Sequence, residues 1–206
     1  MQLSHPLATI TPTLDGDVLA VLARQEAAFT TGQLHRVLGG YSEAGIRKVL
    51  LRLRGQGVVL SERVGNAYSY RFNRDHLAAH PIIELANLQQ MLLGRLETCL
   101  GSWTVPPVYA AVFGSAVRGT MTPQSDLDLL LVRADDSPRG VWDEQVGILA
   151  SDVTRWTGND TRPIDYSESE LVGARREPVL AEVVSHGLTV AGSRAWFNRQ
   201  LRQGTG

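Results

Sequence analysis

The chain reads as an α+β protein in two parts joined by a helix, on three observations. Residues 1–76 hold three segments of helical period, then two short alternating runs around Gly65-Asn66, the signature of a small helical bundle ending in a hairpin. Residues 103–206 hold short apolar runs separated by segments of helical period, which predicts a small mixed sheet with helices packed on it. Residues 77–102 keep a helical period with no turn signal and form the bridge.

In chain order, residues 15–26 make the first helix, with Val18, Leu19, Val21 and Leu22 as its apolar stripe and Asp15 as its cap. Phe29-Thr30-Thr31 breaks it, and residues 33–38 make a second, short helix. Gly39-Gly40 turns the chain. Ser42 caps a third helix running to about Gln56, with Ile46, Val49, Leu50 and Leu53 on its buried stripe and Arg47, Lys48, Arg52 and Arg54 off it. Residues 58–63 and 67–72 are the hairpin strands. Residues 82–100 form one long helix whose apolar positions exceed what one domain face needs, so the segment is expected to bridge the halves and to pack against its copy in a dimer. His76 and His80 stand one helical turn apart, but neither a cysteine nor an acid completes a metal set, and they read as ordinary residues. Ser102 to Pro107, with two prolines, is the linker.

In the second part, residues 108–113 are a strand, and residues 129–132 belong to a second one that begins at Asp126. The period of Val141, Val146, Ile148, Leu149, Val153 and Trp156 marks an amphipathic helix stopped at Gly158-Asn159. Residues 162–166 are a third strand carrying Asp165, helices start near Ser167 and Glu177, and Leu188-Thr189-Val190 closes the sheet.

Composition excludes little. With 206 residues there is room for two small domains or one medium one. A lone Cys99 forms no internal disulfide and fits a reducing compartment. No run is long enough to cross a bilayer, and the expectation is a cytoplasmic protein. Net charge is −1, but residues 1–80 carry nine basic and six acidic side chains and the remainder eleven and fifteen, a mildly basic front and a mildly acidic back.

Chemistry concentrates in Val112-Phe113-Gly114-Ser115-Ala116-Val117-Arg118-Gly119 and in Ser125-Asp126-Leu127-Asp128, with Asp126 twelve residues after Gly114. Alternation puts Asp126 and Asp128 on one face of a strand. Two carboxylates that close repel unless a cation lies between them, and hard Mg²⁺ takes carboxylate oxygens together with substrate phosphates. Gly114-Ser115 at a strand-to-helix turn offers backbone N–H groups and a hydroxyl to an anion.

This pattern of Gly-Ser, an Arg-Gly turn and Ser-Asp-x-Asp-Leu resembles the DNA polymerase beta superfamily of nucleotidyltransferases, most closely the minimal nucleotidyltransferases of bacteria and archaea. The resemblance covers the second half of the chain. It implies in-line transfer of a nucleoside monophosphate from a triphosphate, with ATP the expected substrate and Mg²⁺ or Mn²⁺ the cofactor. It further implies metal ligation and catalysis by Asp126, Asp128 and a third carboxylate, carried to Asp165 by strand context, with Asp160 in the preceding turn as the competitor. Gly114, Ser115, Arg118 and Ser125 are the implied nucleotide contacts, although Arg118 equally suits the solvent side of its helix. Minimal nucleotidyltransferases are often antitoxins that modify a HEPN-type toxin, so the resemblance implies a hydroxyl on a partner protein as acceptor. A small molecule such as an aminoglycoside ranks lower, and a nucleotide-binding regulator without turnover is the alternative.

The run Ile46-Arg47-Lys48-Val49-Leu50-Leu51-Arg52-Leu53-Arg54-Gly55-Gln56-Gly57-Val58-Val59, a basic helix entering a wing strand, resembles the winged helix-turn-helix domains of bacterial regulators over about residues 15–73. The resemblance implies DNA contacts from Ser42, Arg47, Lys48 and Arg52 in a major groove, with Arg63 and Arg71 from the hairpin, and a dimer to multiply phosphate contacts.

Overall fold

A computed structural model describes residues 1–202. It divides into two compact units, His5–Gln89 and, together, Met1–Ser4 with the chain from Gln90 on. No helix among the described residues is long and apolar enough to cross a membrane.

The first unit runs from a 3-10 turn at Pro6–Thr9 through α1 (Leu14–Arg24), β1 (Phe29–Thr30), α2 (Thr31–Leu38), α3 (Glu43–Gly55), β2 (Val59–Val64) and β3 (Ala67–Phe72) to α4 (Ala79–Ala86). Its sheet has the order β1-β3-β2 and is antiparallel throughout. The capping chemistry places two starts. Ser42 accepts the Gly45 N–H and opens α3, as expected. At α2, Thr30 and Gln33 close a reciprocal box, so the helix begins at Thr31, two residues earlier than the apolar pattern suggested. Asp15, expected as the cap of α1, lies inside its first turn instead, with Thr13 at the cap position. The hairpin turns on Gly65 at φ +60°, the left-handed geometry that a two-residue turn requires. Val18, Leu22, Leu34, Ile46, Leu50, Tyr70 and Phe72 make one core.

The expected helix over residues 82–100 is two helices, α4 and α5 (Leu88–Gly101), interrupted at Asn87. Asn87 leaves helical geometry at φ −102°, ψ 16°, and its N–H is taken up by the Ile83 and Glu84 carbonyls. The surplus apolar residues of this segment serve two cores. Ala86, Ile82, Ile83 and Leu85 belong to the first unit's core, and Leu92, Leu96 and Leu100 to one of the second's.

The second unit continues with β4 (Tyr109–Phe113), α6 (Ser115–Arg118), β5 (Leu127–Arg133), α7 (Arg139–Thr157), β6 (Thr161–Ser167), α8 (Glu168–Gly173), α9 (Pro178–His186), β7 (Leu188–Gly192) and α10 (Arg194–Arg202). The sheet order is β6-β5-β4-β7, parallel only between β5 and β6, where α7 supplies the crossover that parallel strands need. Alternate residues of β4 and β5 feed cores on opposite faces. Ala110, Val112, Leu127, Leu129 and Leu131 pack with α5 and α7, while Tyr109, Phe113, Leu130 and Val132 pack with α8, α9 and α10. Burial on both faces is why the strands read as unbroken apolar runs. The helix α10 was not anticipated. Its Phe197 is fully buried and stacks on Tyr109 with ring centroids 4.4 Å apart.

Candidate active site

The Gly-Ser turn and the Asp-x-Asp strand meet because β4 and β5 are antiparallel neighbours with Phe113 opposite Asp128. The next residue, Gly114, has φ +75° and ψ −149°, a conformation open to glycine alone. A Cβ there would lie 3.1 Å from Cγ of Asp128 and overlap its carboxylate oxygen. The backbone of the turn is therefore seated directly on the Asp128 carboxylate, with Ser115 opening α6 beside it.

Asp126 and Asp128 stand on the same side of β5. Burial, and then the Asp126 charge, push the Asp128 carboxyl above the ordinary carboxylate range, partly offset by Arg162 and Arg118. Arg162 lies opposite Asp128 on β6, and its guanidinium forms an ion pair with Asp126 Oδ2 at 3.0 Å. Arg118 reaches across to Glu182 of α9.

The loop into Asp126 is held by its own polar groups. Ser125, expected at the nucleotide, uses its hydroxyl to accept the Thr122 N–H at 3.0 Å. Asn159, 1% exposed, donates from Nδ2 to the Ser125 carbonyl at 2.9 Å and to those of Thr122 and Pro123 at 3.4 Å. Sequence reading took Asn159 only as part of a helix stop, and no local signal marks its role in the loop. Asp160 contributes its carbonyl to the Leu127 N–H at 2.7 Å, which helps to start β5 beside β6.

Asp165 does not join the pair. It lies opposite Leu131 in the parallel register, three positions beyond Asp128, about 10 Å along the strand. It also has the opposite parity, on the face that packs against α7. There its Oδ2 accepts from Trp142 Nε1 at 3.1 Å and Arg139 at 3.2 Å, with the buried Arg133 at 3.7 Å. The expected three-carboxylate cage is thereby corrected to a pair, and Asp165 to an anchor for Arg133, Arg139 and Trp142. Among the described residues no three His, Cys, Asp or Glu side chains gather where they would hold a metal.

Two carboxylates suit one divalent ion. Mg²⁺ is commonly held by one or two carboxylates, completing its shell with phosphate oxygens and water. Burial and, after it, the Asp126 charge raise the Asp128 carboxyl, and a bound cation would offset both. Among the described residues no third carboxylate gathers with this pair to hold a second ion.

In the first unit, Ser42 is occupied as the α3 cap, while Arg47 and Lys48 are exposed on the outer side of that helix. Arg47 lines a groove of about 550 Å³ together with Glu43, Leu51, Asn66 and Tyr68. Arg52, expected to read DNA, pairs with Asp15 of α1. Arg63 lies opposite Tyr68 on the hairpin face that bears Tyr70 and Phe72, whereas Arg71, opposite Leu60, is on the other face. Of these basic residues Arg47 lines the groove, Arg63 donates from Nε to the Gly65 carbonyl of its own turn at 3.2 Å, and Arg71 lies on the opposite hairpin face from Arg63.

Residues 98–180, from α5 into α9, match the family described as Nucleotidyltransferase domain. No curated protein matches the chain. Among solved structures, a toxin–antitoxin with AMP-PNP is similar at 19% identity and a TM-score of 0.41, covering 54% of this chain and 82% of that one. The toxin–antitoxin MntA–HepT is similar at 16% identity and a TM-score of 0.38, covering 56% and 83%. The chain carries a nucleotidyltransferase domain, the domain of transferases of nucleotidyl groups.

Proposed function

We propose that this domain transfers a nucleoside monophosphate from a triphosphate, ATP first among them, to a hydroxyl group, in the presence of Mg²⁺ or Mn²⁺. The observation that supports the reading is the seating of the Gly114 turn on the Asp128 carboxylate; in this reading the turn's backbone binds phosphate and Asp126 with Asp128 binds the cation. Asp126 and Asp128 hold the ion. Its chemistry, when bound, is to neutralise charge on the phosphate oxygens and so favour attack at the α-phosphorus. The Ser115 hydroxyl and the N–H groups of the Gly114 turn donate to the β- and γ-phosphates. As the acceptor oxygen bonds to the α-phosphorus, the bond to the bridging oxygen breaks, pyrophosphate leaves and the hydroxyl releases its proton. The proposed acceptor is a protein hydroxyl, as on a partner toxin, and this rests on the family resemblance alone.

Incubating the full chain with lysate, Mn²⁺ and triphosphates labelled at either the α- or the γ-phosphate tests the reading. Transfer of α-label without γ-label is expected. Transfer of γ-label, or no transfer from any of the four ribonucleoside triphosphates, would contradict it.

For the first unit, we propose a winged helix-turn-helix that binds DNA, supported by the element order α1-β1-α2-α3-β2-β3, the three-stranded sheet and the exposed Arg47, Lys48 and Arg63. A homodimer would double its phosphate contacts. A second reading of the whole, a DNA-bound regulator that senses nucleotide without turnover, is favoured by one observation, the Arg162–Asp126 ion pair inside the site. Nucleotide-dependent release of DNA without any label transfer would select it.

A further inference from the structure

Arg162 was read in the sequence only as part of a strand, yet three observations make it part of the site. It faces the same side of the sheet as Asp128, directly opposite it in register. Its guanidinium pairs with Asp126 at 3.0 Å. Its side chain is 66% exposed, so the pair is exchangeable rather than locked. Arg118, the other cation acting on Asp128, pairs with Glu182 of α9, whereas Arg162 pairs with an aspartate of the site.

Resting on the proposed nucleotide site, we propose that Arg162 is its resident counter-cation, holding Asp126 while the site is empty and binding the triphosphate once a single divalent ion takes the aspartates. The charge balance supports this. Three carboxylates with two divalent cations sum to a net charge of plus one, and two carboxylates with one divalent cation and one guanidinium sum to the same. Arg162 thus makes up the charge left out when Asp165 turns to the opposite face and the second ion loses its ligand. A guanidinium also offers paired donors to phosphate oxygens, a geometry an ammonium lacks.

The role has a two-sided signature, because the same side chain competes with the metal and assists the nucleotide. In the full chain, Mn²⁺ alone is titrated by electron paramagnetic resonance, and a non-hydrolysable ATP analogue with saturating Mg²⁺ by calorimetry. Arg162→Gln should bind Mn²⁺ about three- to tenfold more tightly, the competing ion pair being gone. It should bind the analogue at least about tenfold more weakly. Arg162→Lys should keep the wild-type Mn²⁺ affinity and give an intermediate affinity for the analogue. Arg162→Gln affinities that both stay within about twofold of wild type, or that both fall, would overturn the proposal. Asp128→Asn supplies the reference for a site without metal. Wild type taking up neither Mn²⁺ nor the analogue would overturn the nucleotide site itself, and this role with it.

Discussion

Asp128 carries its charge at a cost, since burial and Asp126 raise its carboxyl more than Arg162 and Arg118 lower it. The folded chain therefore binds the Asp128 proton more tightly than the unfolded chain does. That contribution to stability is fully present below the unfolded value and is lost as pH rises through the raised folded one. At neutral pH the ionised side chain is therefore destabilising. Asp128→Asn should raise Tm at pH 7 by about 1–3 °C, and the gain should vanish below the ordinary carboxylate range. A variant less stable than wild type at pH 7, or one with the same gain at pH 3.5, would show that the charge is not a liability. Asp165 has the reverse character. Asp165→Asn removes an anion from beside the buried Arg133 and should cost about 1–3 kcal/mol in denaturant melts. The two aspartates also mark what was legible at this scale. The nearness of the Gly114 turn to Asp128 was readable because a short loop joins two neighbouring strands. The face presented by Asp165 was not, because it depends on the register between β5 and β6, and a one-residue slip reverses every side chain of a strand. Asn159 was missed for a related reason, as the carbonyls it holds lie more than thirty residues away.

At the level of elements, periodicity found α3, α7, the hairpin and all four strands of the second sheet, because each has an apolar face set by local spacing. It failed at Asn87, where the apolar pattern runs on through the break and only the two destinations of its side chains reveal it. It also passed over α10, whose Trp196, Phe197 and Leu201 sit among arginines in so short a segment that the pattern is faint. The elements decide which basic residues act together. Arg47 on α3 lines the groove together with Tyr68 and Tyr70, and Arg71 on β3 lies on the hairpin face opposite to those two tyrosines. In fluorescence anisotropy with duplex DNA, Arg47→Ala should weaken binding about tenfold and flatten the salt dependence by roughly one unit of slope. Arg71→Ala should leave both nearly unchanged, and equal losses in the two variants would remove α3 as the reading element. Arg52→Ala should lower stability through the loss of Asp15 as a partner, a change visible in Tm without DNA.

Across the whole chain, two units with separate cores divide the chemistry. The second carries the nucleotidyltransferase domain and the first a basic helix-and-hairpin surface. Turn signals suggested two parts joined by a bridge, whereas the allotment of the segment over residues 77–102 between two cores required the packed structure. The claim on which the rest depends is that two aspartates on one face, rather than three, run the transfer. Its most direct test is transfer of α-phosphate label from ATP to lysate protein, with Mn²⁺, by wild type, Asp126→Asn, Asp128→Asn and Asp165→Asn, each checked for folding at the assay temperature. Label should pass with wild type and with Asp165→Asn, and disappear with Asp126→Asn and Asp128→Asn. Transfer that survives Asp128→Asn, or that a folded Asp165→Asn abolishes as completely as Asp128→Asn does, would contradict the two-carboxylate site.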